Sequence, residues 1–374
     1  MEELSAALHK FNQNIVEVSR RVSRDTITCC MTQVILPLLE KIGEIDVRFR
    51  CASPMPNEVY FPGMKSSCMN EFELTIILTN LLAAKTFEDG GSHDGSLSCY
   101  GRVLPLQSLH QIGDVLVEAG SSQGVVSAHR IRQIFAQLAS QAVSFLPVVS
   151  GMSVDVSVKE PFTVIKILKA TELVIFELVP AFMFLHDWPT SASTWPTEVK
   201  GWLSESDIKS VKDAGFYAVA LPCSASPLDP SLFRISFSNA EKYLLRPAWL
   251  ENYKPTAVCR KDSERILRMI RESDKDAFIP VNCYHIKTIL LHDCMRWPEH
   301  ASWLPEKLAE RFLDLLRDLI LVLENQNLPH FFIRDCNLLR DYNTEQLRAA
   351  AGRLRVIYHD IYSSPSTSIR LQCY

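Results

Sequence analysis

Basic charge is in short supply in this chain: 39 Lys and Arg stand against 43 Asp and Glu, a formal net charge of -4. A protein that coats nucleic acid through bulk charge needs the opposite sign, so that class is disfavoured, while a local basic groove is not. Ordered cysteine spacing is also missing. The 11 cysteines run from Cys29 to Cys373 without the close intervals of a disulfide framework or a zinc ribbon, and their number is odd, which points to a reducing compartment. No apolar run is long enough to span a bilayer: the longest, Leu173 to Leu185, is interrupted by Glu177. The start, Met1-Glu2-Glu3, is acidic, so neither a signal peptide nor a targeting helix is expected. There is no internal repeat and no low-complexity tract. A cytoplasmic or nuclear location, off the membrane, follows from these absences.

What remains is ordinary globular material. With 374 residues, 47% hydrophobic and 22% charged, the chain can bury two lobes and is no disordered scaffold. Phe11, Ile15, Val18 and Val22 fall on one helical face, and Lys10, Arg20, Arg21 and Arg24 off it, so the first forty residues read as a long amphipathic spine helix. Phe72 to Leu82 is strand-like, and the polar stretch Glu88 to Gly101 reads as a loop or hairpin tip. Val126 to Phe145 returns to helical periodicity through Ile131, Phe135, Leu138 and Ala142. Two β-branched segments, Phe162 to Leu168 and Leu173 to Phe184, look like paired strands. Beyond Trp202 the pattern is helical: Ile266, Leu267 and Ile270, then Ile286, Ile289 and Leu290, then Leu308, Phe312, Leu315, Leu319 and Val322 each mark a helix.

Chemistry gathers at carboxylates. Glu71 and Glu73 are two apart in a strand, so both project from one face, a geometry that suits a divalent metal. Glu177 interrupts the second apolar strand, where it requires an exposed face, a buried partner or a cation. Three acids on adjacent strands can hold two Mg or Mn ions, one to activate a ribose hydroxyl and one to steady the leaving pyrophosphate of an NTP. A Glu-X-Glu on a strand is also a common solvated face, and composition alone does not choose between the two readings.

The segment Asn70-Glu71-Phe72-Glu73-Leu74 resembles the acidic strand motif of the Mab-21-like family, the relatives of cyclic GMP-AMP synthase. Phe176-Glu177-Leu178-Val179-Pro180-Ala181-Phe182, followed by Trp188-Pro189, resembles the strand with the third acid. Phe233-Arg234-Ile235-Ser236-Phe237-Ser238 with Glu241-Lys242, then Cys259-Arg260-Lys261-Asp262, then Tyr284-His285-Ile286-Lys287-Thr288, complete an ordered series. The resemblance covers most of residues 50 to 340. It implies metal and catalytic roles for Glu71, Glu73 and Glu177, and nucleotide contacts at Arg234, Glu241, Lys261, Arg265, Arg268, Cys283, Tyr284 and Lys287. Lys261, Arg265 and Arg268 form one helical stripe able to neutralise phosphate, and Tyr284 offers a ring on which a base can stack. Cys283 stands where the family has serine, so base specificity does not carry over.

Two family features are altered. Active members grip the triphosphate with a Gly-Ser turn about a dozen residues before the first acid, where backbone N-H groups meet phosphate oxygens. Here Glu58-Val59 occupies that place, a carboxylate that repels phosphate and a stiff residue with no donor; Ser53, Gly63, Ser66 and Ser67 are the nearby substitutes. The zinc thumb that precedes the Cys-Arg-Lys-Asp segment in cyclic GMP-AMP synthase is short of ligands: between Leu245 and Cys259 stand Arg246-Pro247-Ala248-Trp249 and a single cysteine, so no structural zinc is expected. His292 and Cys294 read as core or rim residues, and Trp188, Trp195, Trp202, Trp297 and Trp303 as loop anchors.

The expectation is therefore an α+β nucleotidyltransferase core, residues 1–255, packed on a C-terminal helical lobe, residues 256–374, with a nucleotide cleft between them. The function it implies is that of a Mab-21-like protein binding a nucleoside triphosphate or related phosphate, with a degenerate site and a regulatory or developmental role. An active cyclic-dinucleotide synthase and a protein-interaction scaffold are the alternatives; nucleic acid as a partner is doubtful without the thumb.

Overall fold

A computed structural model describes residues 1–16, 25–51, 71–82, 85–90, 97–106, 112–118, 124–147, 149, 151–196, 203–245 and 259–364, with the backbone alone at 64–68. By compactness the chain divides into two units: Ser23–Thr194 with Lys209–Leu245, and Met1–Val22 with Trp195–Ile208 and Arg246–Tyr374.

The first unit is built on a nine-stranded sheet. Its strands are β1 (Met64–Cys68), β2 (Glu71–Ile77), β3 (Lys85–Asp89), β4 (Tyr100–Pro105), β7 (Met152–Lys159), β8 (Phe162–Lys169), β9 (Glu172–Phe184), β10 (Phe216–Val219) and β11 (Leu232–Ser236); β5 (Leu116–Val117) and β6 (Val125–Val126) form a separate small ribbon. The order is β1-β2-β9-β10-β11-β4-β3, with β7 and β8 attached to β9. The expected hairpin tip between 88 and 101 joins β3 to β4, and the two β-branched segments are the antiparallel pair β8 and β9.

β9 organises this sheet because it is 13 residues long and pairs along both edges. On one edge lies β2, parallel, from Glu71↔Ile175 to Ile77↔Ala181. On the other, β8 covers the first half and β10 the second, from Ala181↔Val219 to Phe184↔Phe216. Gly215 makes the turn into β10 possible: its φ is +66°, and a Cβ there would fall 1.9 Å from the Phe184 carbonyl oxygen. Alternation then sorts the side chains. Phe72, Leu74, Val174, Phe176 and Leu178 are buried, with the Phe72 and Phe176 rings 5.6 Å apart. Across β7 to β9 packs the helix Ala128–Ala142, which buries Ile131, Phe135, Leu138 and Ala142 and is capped by Ser127 accepting from the Arg130 N-H. Against it lies the helix Leu36–Ile45.

The second unit is helical. We number the helices of the whole chain α1 (Glu2–Phe11), α2 (Leu36–Ile45), α3 (Ala128–Ala142), α4 (Glu205–Asp213), α5 (Ser238–Leu244), α6 (Arg260–Ser273), α7 (Cys283–Arg296), α8 (Leu308–Asn325) and α9 (Thr344–Ser363). α1 buries Leu4, Leu8 and Phe11 and continues as a π-turn, Asn12–Val16. A second π-turn, Met31–Ile35, leads into α2, whose first turn contains Pro37 and so lacks one N-H donor. The expected spine is thus helical on both sides of residues 17–24, which carry Val18, Arg20, Arg21, Val22 and Arg24 and lie outside the described residues. α6, α7 and α8 bury the predicted stripes, including Ile266, Leu267, Ile270, Ile286, Leu290, Phe312, Leu315 and Leu319, and α9 buries Leu347, Leu354, Ile357 and Ile361. α8 ends at Gln326 in the left-handed conformation (φ 54°), and the loop that follows is pinned by Asn337. The Asn337 carboxamide oxygen accepts from the N-H groups of Leu328 and Leu339, and its nitrogen donates to the Gln326 carbonyl.

Candidate functional site

Strand register brings the three predicted acids onto one face. In the parallel pair, Glu73 lies directly opposite Glu177, and Glu71 opposite Ile175, two positions back. Residues opposite one another share a face, so Glu71, Glu73 and Glu177 are neighbours on the half-exposed side, while Phe72, Leu74, Phe176 and Leu178 are buried on the other. The same side continues along the strands as an apolar floor of Val179, Ala181, Tyr217 and Val219, with Ile77 and Phe162 packed against it.

The electrostatics follow from the crowding. Partial burial pushes the Glu177 carboxyl above its ordinary value, the Lys159 ammonium opposes the rise, and Glu71 and Glu73 add to it. Lys159 approaches Glu177 to 3.9 Å from a side chain that is 78% exposed, a contact that solvent screens heavily. Among the described residues no three His, Cys, Asp or Glu side chains close on a common point as a ready metal cage. Three carboxylates are oxygen donors of the kind Mg or Mn takes, but the side chains as they stand share a face without converging.

Arg234 on β11 pairs with Val219, which pairs with Ala181. Register therefore carries Arg234 to the acid face, though strand spacings put its backbone roughly 16 Å from that of Glu177. Glu241, in α5, is buried at 2% exposure.

The remaining predicted residues lie on α6 and α7. The stripe of Lys261, Arg265 and Arg268 is half-buried on the side of α6 away from Ile266 and Ile270, and two of its members are engaged within the helix. Arg265 pairs with Asp262 at 3.3 Å, and Arg268 with Glu264 at 2.6 Å. The N-terminus of α7 is fixed by a capping box, in which the Asn282 side chain accepts from the His285 N-H and the His285 ring accepts from the Asn282 N-H. That cap sets Cys283, Tyr284 and Lys287 in the first turn and a half. Burial raises the Cys283 thiol pKa, so this side chain is not an activated nucleophile. The Lys287 ammonium lies 5.3 Å from the centre of the Tyr284 ring. The Tyr284 hydroxyl is 2.8 Å from His330 Nε2, a partner in the loop after α8 that no local sequence signal connects with it.

A second group of carboxylates escaped the sequence reading. Asp293 on α7 and Asp318 on α8 are pressed together, and Arg296 binds both, Asp293 at 3.2 Å and Asp318 through a short hydrogen bond. Burial, reinforced by Asp318, raises the Asp293 carboxyl to about 8.

Ser53, Glu58, Val59, Gly63, Asn70, Trp202 and Arg246 to Trp249 lie outside the described residues, and Ser66 and Ser67 are described in backbone only. Cys294 is buried, and the His292 Nε2 is 2.9 Å from the Pro329 carbonyl, so both serve the core and its rim. Trp195 and Trp303 are buried anchors, and the Trp188 indole donates to the Ala192 carbonyl. Cys29, Cys30, Cys51, Cys223, Cys259, Cys283 and Cys294 are free thiols, whereas Cys99 and Cys336 are disulfide-bonded, a departure from the fully reduced set expected. Among the described residues no helix is long and apolar enough to cross a membrane.

Two family descriptions match the chain. The Mab-21 protein nucleotidyltransferase domain matches residues 60–247, and the Mab-21 protein HhH/H2TH-like domain matches residues 259–355.

Proposed function

Since the chain belongs to the Mab-21 family, we propose that its nucleotidyltransferase domain binds a nucleoside triphosphate or related phosphate ligand, through Mg or Mn held by Glu71, Glu73 and Glu177. The observation that supports this most is the register Glu73↔Glu177, because a rigid parallel pair keeps carboxylates adjacent that would otherwise separate. With the backbone already in register, closing on an ion asks only for rotamer changes. A bound divalent ion would neutralise the acids and draw phosphate oxygens to that face. Arg234 is the cation we assign to the ligand's far end on this face, and the apolar floor between it and the acids excludes water.

In the helical domain we assign Tyr284 to base stacking, with Cys283 at its margin, and Lys261, Arg265, Arg268 and Lys287 to phosphate. Glu241, buried in α5, keeps the nucleotide-contact role that the resemblance implies. Turnover is weak or nil in this reading, because Glu58-Val59 stands where a Gly-Ser phosphate grip belongs, and the role is regulatory, of the developmental kind that the resemblance implies. An active cyclic-dinucleotide synthase is the second reading. It is favoured by the register, which keeps the Glu177 carboxylate beside Glu73, where a metal-held ribose hydroxyl would lose its proton.

The test is a thermal melt with ATP, GTP, CTP or UTP, each with and without Mg or Mn, run beside Glu71→Ala/Glu73→Ala and with product analysis. Metal-dependent stabilisation of wild type alone, without product, is the expected result, since a ligand of the native state must raise its melting temperature. A dinucleotide product made by wild type alone replaces it with the synthase. Absence of any nucleotide effect leaves the protein-interaction scaffold.

A further inference from the structure

We infer that His330 is a positioning residue for Tyr284, holding its ring ready for a base through a hydrogen-bond direction that the backbone imposes. The inference rests on the assignment of Tyr284 to base stacking. His330 is 4% exposed, in the loop after α8. Its Nδ1 lies 3.1 Å from the amide nitrogens of both Phe332 and Ile333, and each of those groups donates. Nδ1 is therefore a lone-pair acceptor, and the ring hydrogen belongs on Nε2. Nε2 is the atom 2.8 Å from the Tyr284 hydroxyl, so the imidazole donates to the phenol oxygen.

The loop that fixes the imidazole is itself fixed. The His330 N-H donates to the Cys336 carbonyl at 2.8 Å, and the Cys336 N-H to the Ile333 carbonyl at 3.1 Å. Asn337 closes the base of the loop, as described above. α7 grips the same loop a second time, where the His292 ring meets the Pro329 carbonyl at 2.9 Å. The phenol end of Tyr284 is thus tied to a cross-braced turn. Its backbone end sits in the capped first turn of α7, where its carbonyl accepts from Thr288 at 2.8 Å. A ring held at both ends has little rotamer freedom left to lose when a base stacks on it.

Two substitutions separate this role from general support. In His330→Asn the side-chain oxygen can accept from the Phe332 and Ile333 N-H groups, so the turn persists, but the side chain is too short to reach the phenol. Tyr284→Phe keeps the ring and removes the oxygen. With calorimetric titration of Mg-ATP, Mg-GTP, Mg-CTP and Mg-UTP well below the melting range, each single variant is expected to bind about five-fold more weakly, the scale of ordering one side chain, and to melt below wild type because a buried hydrogen bond is lost. The double variant is expected to bind no more weakly than either single one, because both changes delete the same link. Losses that multiply in the double variant overturn the inference and give His330 a separate contact with the ligand.

A second measurement needs no ligand. Long-range ¹⁵N-¹H spectra of histidine-labelled protein are expected to place the His330 hydrogen on Nε2; a hydrogen on Nδ1 overturns the inference outright. If wild type binds none of the four nucleotides, the stacking assignment of Tyr284 falls and the ligand-positioning role falls with it. A wild type that binds, beside a double variant with compounded losses, removes the role of His330 alone.

Discussion

Carboxylates crowd together in two regions of this molecule, and the regions differ in what accompanies them. Asp293 and Asp318 are buried between two helices and share Arg296, which reaches both. Glu71, Glu73 and Glu177 are held on a half-exposed strand face by backbone register, and the nearby Lys159 touches Glu177 only at 3.9 Å from a side chain mostly in solvent. An acid pair that serves structure brings its cation with it, because an uncompensated charge in a helical core is costly. Acids held side by side on a strand face by register fit the metal role proposed for them, in which the ion comes and goes.

Removing the cation from each region should break the comparison if it is wrong. Arg296→Ala leaves two neighbouring carboxylates in the helical unit without their shared partner, and the expected cost is about 2 kcal/mol after allowing for the half-exposed arginine, read from denaturant midpoints. Next in size is Asp293→Asn. A carboxyl whose folded pKa is raised above its unfolded value loses stability as pH climbs from that unfolded value through the folded one, here from the usual aspartate range to about 8. The advantage of the variant over wild type should grow steadily from pH 5 to pH 8, in melts followed across that window.

On the sheet the same sign applies more gently. Partial burial raises Glu177, so Glu177→Gln should stabilise the fold slightly at pH 7, with the gain fading as pH falls toward the ordinary glutamate range. A larger gain than that of Asp293→Asn would erase the distinction drawn here. Smallest of all is Lys159→Ala, expected to change stability by less than about 0.5 kcal/mol, as for other solvated surface positions. A loss like that of Arg296→Ala would make Lys159 the built-in partner of the acid face.

The elements that carry the acids were readable because strand alternation is local: Glu71 and Glu73 announce one face, and the β8 and β9 runs announce a pair. Their register was not, because parallel strands are joined by long connections whose course no local pattern records. The stripe on α6 was visible as spacing, whereas its capture by Asp262 and Glu264 depends on rotamers. Asp293 and Asp318 were invisible for another reason: each is a polar residue within an apolar helical pattern, and only the packing of α7 on α8 shows that they meet. His330 was hidden by distance, since its loop comes 46 residues after Tyr284. The grouping of Met1–Val22 with the C-terminal helices is likewise a matter of compactness, which periodicity cannot express.

The parallel seam between β2 and β9 also bears on how the chain reaches this state. Roughly a hundred residues lie between Glu73 and Glu177, so closing that loop costs more entropy than closing a hairpin such as β7 with β8. The acid face thus depends on a long-range pairing. A nascent or truncated chain that ends before β9 exposes β2 as an unpaired edge with two carboxylates on it, a charge pattern that discourages association with other chains until its true neighbour arrives.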